Sequence, residues 1–345
     1  MAKAVVSAVD LFCGVGGLTH GLERAGVRVA AGVDIEEACR TPYEANNKAR
    51  FIAADVASIE PDYINSLFKP ARFKLLAGCA PCQPFSTYSR AGRGKKYHEQ
   101  WPLLSSFASL VSDIKPDFVT MENVPQVLNH PVFSDFCSSL SDYMVWFDVV
   151  DCALYGVPQT RKRLVLLASR HGNLRLNPTH SVAATVRDTI ACLPELTAGG
   201  SDSSDPLHTA ARLSELNLAR IRASVPGGTW RDWPQELLAE CHRRDTGATY
   251  PAVYGRMEWE RPAPTMTTQC FGFGNGRFGH PSQDRAISLR EAAMLQTFPR
   301  DYQFLFDSEP VVFSRLGRLI GNAVPVRIGE VIGDAVFNHA KSIAA

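Results

Sequence analysis

D-L-F-C-G-V-G-G-L-T-H-G, residues 10–21, is the stretch that decides the fold. A β-branched run at residues 5–11 delivers the chain into a glycine-rich turn, and the residues after the turn suit a helix. Gly14, Gly16 and Gly17 have no side chain to keep a ligand from the backbone. Leu18, Thr19 and His20 follow the paired glycines, so the spacing is not G-x-G-x-x-G; it favours a nucleoside without a pyrophosphate over a dinucleotide. Outward from this turn, residues 27–33, 74–77 and 118–121 repeat the pattern of a short apolar run that closes on Gly, Asp, Cys or Glu. Such runs alternating with longer mixed segments are βαβ grammar. They predict an α/β, doubly wound, mostly parallel sheet with its chemistry beyond the carboxyl ends of the strands. Two more apolar runs flank residues 155–163 and predict a strand, a loop and a last strand.

The pattern then changes. Residues 172–250 carry Pro, Gly and Ser clusters around one predicted helix at 207–222, which reads as a separate domain. Ser288 precedes Glu291 by three residues, a capping box that predicts a helix over 288–298, and apolar helical periodicity resumes over 321–336. With 345 residues and 45% hydrophobic content the chain can bury a substantial core. A net charge of +1 gives no global attraction to a polyanion, so nucleic-acid contact must come from local clusters such as Arg90, Arg93, Lys95 and Lys96. No apolar run is long enough to span a membrane. Nine cysteines without a paired framework or an export leader read as reduced thiols in a cytoplasmic protein.

Four segments carry chemistry. Beyond the glycine turn, Asp34 ends the second predicted strand, where it suits ribose hydroxyls or a helix N-cap equally. Asp55 suits an adenine amino group or, more plainly, a turn. In G-C-A-P-C-Q-P-F-S, residues 78–86, Cys79 and Cys82 form C-x-x-C, yet no further cysteine or histidine pair completes a zinc site. The following basic, glycine-containing stretch to Lys96 reads as a mobile loop, which suits a single nucleophilic cysteine better than a redox pair. In M-E-N-V-P, residues 121–125, Glu122 closes an apolar strand; partial desolvation there suits it to hold or donate a proton near neutral pH, and tying down a loop is the alternative. In Y-G-V-P-Q-T-R-K-R, residues 155–163, Arg161 and Arg163 alternate so that both can face one side of the last strand.

In this order the segments resemble the cytosine-C5 methyltransferase family. The glycine turn is similar to its first motif, Pro81-Cys82-Gln83 to its nucleophile loop, Glu122-Asn123-Val124 to its acid motif, and Gln159-x-Arg161-x-Arg163 to its arginine motif. R-P-A-P-T-M-T (261–267), L-R-E-A-A-M-L-Q-T-F-P (289–299) and G-N-A-V-P (321–325) also match family segments. Cys79-Ala80 departs from the glycine and bulkier residue that many members carry, and Asp34 from their Glu.

The resemblance implies a Rossmann-like class I methyltransferase domain over 1–171 and 286–345 and a smaller, irregular target-recognition domain over 172–285. It implies S-adenosylmethionine as methyl donor, S-adenosylhomocysteine as product, and no metal. Phe12, Gly14, Gly16, Asp34, Asp55 and Asn322 would bind the donor. Cys82, Glu122, Arg161 and Arg163 would act on a flipped-out cytosine in double-stranded DNA, with Gln83, Ser86, Arg93, Gln159, Arg243, Arg244, Asn275 and Arg277 as DNA contacts. The expected protein is a monomer with no required protein partner, accompanied at most genetically by a restriction endonuclease. Three alternatives remain at this point. A tRNA methyltransferase would carry Cys-Phe-Thr where Cys270-Phe271 is followed by Gly272. A non-catalytic DNA-binding regulator would not need the retained Cys82, Glu122, Arg161 and Arg163, and a dehydrogenase would bind a nicotinamide.

Overall fold

The elements follow one another as β1 (Ala4–Leu11), α1 (Gly17–Arg24), β2 (Arg28–Asp34), α2 (Arg40–Asn46), β3 (Arg50–Ala53), α3 (Pro61–Leu67), β4 (Ala71–Gly78), α4 (Pro102–Ile114), β5 (Phe118–Asn123), α5 (Pro131–Ser138), β6 (Met144–Asp151), β7 (Gln159–Thr160), β8 (Lys162–Ser169), α6 (Val186–Ile190), α7 (Glu215–Ala223), β9 (Ala263–Pro264), α8 (Leu289–Leu295), α9 (Phe313–Asn322) and α10 (Val326–Ala344). This computed structural model describes residues 4–68, 70–81, 102–244, 250–306 and 309–344. Cys82, Gln83, Ser86, Arg90, Arg93, Lys95 and Lys96 lie outside the described residues.

The chain divides into two compact units, one formed by residues 1–155, 162–179 and 324–345, the other by 156–161 and 180–323. The first holds a seven-stranded sheet in the order β3-β2-β1-β4-β5-β8-β6. The β1–β2, β2–β3, β1–β4 and β4–β5 pairs are parallel, whereas β8 runs antiparallel to both β5 and β6. The chain winds outward from β1 in both directions, so β1 and β4 flank the switch point where a doubly wound sheet opens its crevice. Every residue of β5 is buried, as a strand covered on both faces requires. α10 packs on α1 at a backbone approach that only glycine permits: a Cβ on Gly21 would sit 2.3 Å from the Val326 carbonyl oxygen.

The second unit is irregular, and its bounds differ from the expected domain. Residues 286–323 belong to it, not to the sheet, because α8 and α9 spend their buried polar groups inside it. Arg290 Nε donates to Asp205 Oδ2 at 2.6 Å, and Gln296 Nε2 donates to the Ile320 carbonyl at 2.9 Å. The capping box that starts α8 is present in both directions between Ser288 and Glu291. The helix expected over 207–222 is shorter. Residues 207–209 instead fold as a turn in which His208 Nδ1 meets Ser288 Oγ at 2.9 Å, and Ser214 caps α7. The helix expected over 321–336 is broken: α9 ends at Asn322 and α10 starts at Val326, because Pro325 has no N–H to continue the ladder.

Candidate active site

Strand register sets the site. Leu11 pairs with both Val33 and Gly78, and Gly78 pairs with Met121. The next residue on each strand therefore falls in one row at the carboxyl edge: Asp34, Phe12, Cys79 and Glu122. β8 joins the row because it is antiparallel. Val165 pairs with Glu122, and Arg163, two residues earlier and on the same face, reaches the same edge.

At the glycine turn, Phe12 is held at φ +57°, a left-handed conformation that is costly for an aromatic residue and points to function where it is kept. Gly14 N donates to Asp34 Oδ2 at 2.8 Å, and Glu36 N donates to Asp34 Oδ1 at 2.9 Å. Asp34 thus ties the turn to the end of β2. Burial raises its carboxyl above the usual carboxylate range, against the lowering by these two N–H groups. Beneath the turn, Thr19 Oγ1 donates to Asp10 Oδ2 at 2.7 Å and meets the Tyr43 hydroxyl at 2.9 Å. Asp10 Oδ1 has no hydrogen-bond partner, and burial pushes this carboxyl up to about 7. Asp55 is exposed, with Oδ1 accepting from Ala57 N at 2.9 Å, a turn that leaves its other oxygen for a ligand.

These residues fit a charged nucleoside. A Cβ on Gly14 would meet nothing within 4 Å, so the turn borders open space there, whereas on Gly16 it would lie 2.6 Å from Asn47 Nδ2. Ile35, beside Asp34, is 71% exposed; it offers an apolar wall that the sequence reading did not single out, although an apolar residue after a strand-ending acid was the available signal.

Glu122 is buried. Its Oε1 lies 3.0 Å from Arg163 Nε, and its Oε2 accepts from Cys79 Sγ at 2.8 Å. Asn123 Nδ2 donates to the Ala80 carbonyl at 3.2 Å, so the end of β5 also grips the segment leading to Pro81-Cys82.

The other expected site residues within the described segments belong to the second unit. Arg161 belongs to the second unit, is buried, and donates from Nη1 to the Met266 carbonyl at 3.2 Å; the two arginines expected on one side of a strand are thus divided between the units. Gln159, expected as a substrate contact, is fully buried in the fold instead: Nε2 donates to the Leu295 carbonyl at 2.6 Å and to Gln296 Oε1 at 2.8 Å, while Oε1 accepts from Met266 N at 2.9 Å. Arg277 Nη1 is likewise committed to the Gly228 carbonyl at 2.5 Å. Arg243 and Arg244 are exposed; Arg243 donates to the Gln235 carbonyl at 2.9 Å and Arg244 to Glu240 Oε1 at 2.6 Å. Asn275 is half-buried, and Asn322 is exposed at the end of α9, in the second unit.

The sheet is that of a Rossmann-like methyltransferase. Solved structures of similar fold include Spodoptera frugiperda DNMT2 (TM-score 0.67, 15% identity, 97% of this chain and 99% of that one) and the Entamoeba histolytica methyltransferase EhMeth (TM-score 0.64, 16% identity, 98% and 99%). The family model for C-5 cytosine-specific DNA methylase matches residues 6–338, and the chain belongs to that family. It is 50% identical over 341 residues to the Type II methylase M.HgiDII of Herpetosiphon aurantiacus, covering 96% of this chain and 95% of the relative. It is 28% identical over 351 residues to the Type II methyltransferase M.Eco47II of Escherichia coli, covering 98% and 80%. The chain is therefore a DNA (cytosine-5-)-methyltransferase, and its reaction is site-specific methylation of cytosine C5 in DNA.

Proposed function

We propose that the methyl group goes from S-adenosylmethionine to a cytosine flipped out of duplex DNA, through a covalent bond between Cys82 and ring carbon six. The observation that carries this reading is Glu122: a buried carboxylate at the carboxyl end of β5, flanked by Arg163 and a thiol, in one row with Asp34 and the glycine turn. Phe12, Gly14, Gly16, Asp34 and Asp55 would hold the cofactor, with Asp34 accepting from ribose hydroxyls. Bound there, the cofactor supplies an electrophilic methyl group on a sulfonium.

Cytosine C5 is a poor nucleophile. The Cys82 thiolate adds to C6 and pushes electron density toward C5, while Glu122 interacts with N3 and the exocyclic amine to stabilise the electron-rich ring. Arg163 lies beside Glu122 and holds the O2 edge. After transfer, loss of the C5 proton and expulsion of Cys82 restore aromaticity. Such a base is unreachable inside a stack, so it must leave the duplex, at a cost of roughly a few kcal/mol. Basic residues of the 85–100 segment, Arg93 among them, would offset part of that cost at phosphates.

Residues 172–285 would read the target sequence, with exposed Arg243 and Arg244 as phosphate or base contacts. The protein would act as a monomer in the cytoplasm. No helix among the described residues is long and apolar enough to cross a membrane.

The test is transfer of labelled methyl to duplex DNA and, in parallel, to tRNA. DNA labelling that is absent in Cys82→Ala and at least 100-fold lower in Glu122→Gln, as removal of a positioned acid–base group predicts, supports the reading. Labelling of tRNA alone, or undiminished labelling in Cys82→Ala, would sink it.

A further inference from the structure

We propose that Cys79 is a positioning residue for methyl transfer, its thiol fixing the carboxylate of Glu122. This rests on the assignment of Glu122 above, and goes beyond it by naming what orients that side chain.

The register already given sets Cys79 and Glu122 side by side, one residue beyond the paired Gly78 and Met121. Cys79 is held from its other side as well, because its N–H donates to the Leu11 carbonyl at 3.3 Å. β4 lies between β1 and β5, so Cys79 connects the strand that feeds the glycine turn to the strand that ends in the acid. Its thiol takes Glu122 Oε2 at 2.8 Å while Arg163 Nε faces Oε1 at 3.0 Å. One oxygen is thus turned toward a permanent cation and the other toward a weak donor.

The chemistry of the thiol matters here. Glu122 must accept from the exocyclic amine and reach N3 of the incoming cytosine. A strong donor on Oε2 would compete with the base, and an apolar neighbour would leave the carboxylate free to rotate away. A thiol is a weak donor. It holds the rotamer in the free enzyme and yields when the base arrives. No electron or proton transfer to sulfur is required.

The experiment compares wild type, Cys79→Ala, Cys79→Ser and Glu122→Gln in single-turnover methylation at saturating duplex DNA and S-adenosylmethionine, with Kd for each ligand and Tm measured alongside. Loss of one hydrogen bond to a charged group predicts about a tenfold slower transfer in Cys79→Ala, with both Kd values and Tm near wild type. Serine restores a donor, but a stronger one that competes with the base, so its rate should lie above that of Cys79→Ala and below that of wild type. A wild-type rate in Cys79→Ala overturns the proposal. So does a Ser variant as slow as Ala, or an Ala variant whose defect lies in ligand affinity or Tm instead of the transfer rate. The Glu122→Gln arm separates the two claims: an unimpaired rate there refutes the role of Glu122 itself, while a large loss there with no effect in Cys79→Ala refutes only the role of Cys79.

Discussion

In the sheet unit, buried polar groups collect at the carboxyl edge of adjacent strands and are incompletely satisfied: Asp10 Oδ1 and Glu122 Oε1 have no hydrogen bond, the latter facing Arg163 alone. In the second unit, buried arginines spread through the fold, and apart from Arg161, whose Nε makes no hydrogen bond, the others are well satisfied. Arg256 donates to the carbonyls of Ile221, Ser224, His280 and Gln283 and pairs with Asp284. Arg285 is fully buried and makes a bidentate pair with Glu291 at 2.7 Å to each oxygen. His242, stacked on Trp230 with both ring nitrogens unpartnered, is an exception there. A regular sheet supplies its own backbone hydrogen bonds, so its side chains are free for chemistry. An irregular unit must recruit side chains, above all the multi-donor guanidinium, to satisfy loop carbonyls.

The sharpest way to break that contrast is Arg285→Met. It leaves Glu291 charged and unpaired in the interior, and should cost about 3–5 kcal/mol in denaturant unfolding. Restoration by pairing it with Glu291→Gln is expected, and a loss below about 1 kcal/mol would mean the pair is not what holds this unit.

Next in size is a pH tilt of opposite sign in the two units. The Asp10 carboxyl stands at about 7 against an ordinary 3.8. Between those values the folded state keeps a proton that the unfolded chain releases, so this contribution is full below 3.8 and is lost as pH rises to about 7. Asp10→Asn should therefore gain roughly 2–4 kcal/mol at pH 8 and nothing near pH 4. His280 is pushed the other way, down to about 4, first by burial and then by Arg285 and Arg256 against the pull of Glu291. The folded state refuses a proton that the unfolded chain takes, so stability falls as pH drops from 6.5 toward 4. His280→Gln should flatten that acid limb. A variant that leaves the pH dependence unchanged would remove its residue from this account.

Gln159→Ala comes third. It strands the Met266 N–H and the Leu295 carbonyl and should cost about 2 kcal/mol of stability, with the Kd for duplex DNA unchanged once folded protein is compared. A weakened Kd at unchanged Tm would return Gln159 to the substrate. The smallest effect is Ser288→Ala, which removes the α8 cap for about 1 kcal/mol, read as a shift in Tm without change in methylation rate.

Much of this protein was legible in its sequence because the signals were local. Strand-ending residues Asp34 and Glu122, the glycine turn, and the Ser288–Glu291 cap each depend on neighbours a few positions away, and strand alternation alone puts Asp34 and Glu122 at the same edge. The bonds that Gln159, Arg161 and Arg277 make within the fold were not legible, for the opposite reason. Their partners lie 136, 105 and 49 positions away, and nothing local distinguishes an arginine that will face a substrate from one that will satisfy a distant carbonyl. The clustering of residues 286–323 with the second unit was not legible either, since it follows from buried bonds such as Arg290 to Asp205. Sequence by itself determined which residues end the strands and the edge of the sheet on which they stand. Only the tertiary structure decided that Cys79, read at first as half of a motif, lies against Glu122. That contact follows from parallel register between β4 and β5, and strands 43 positions apart carry no record of their register until they are packed.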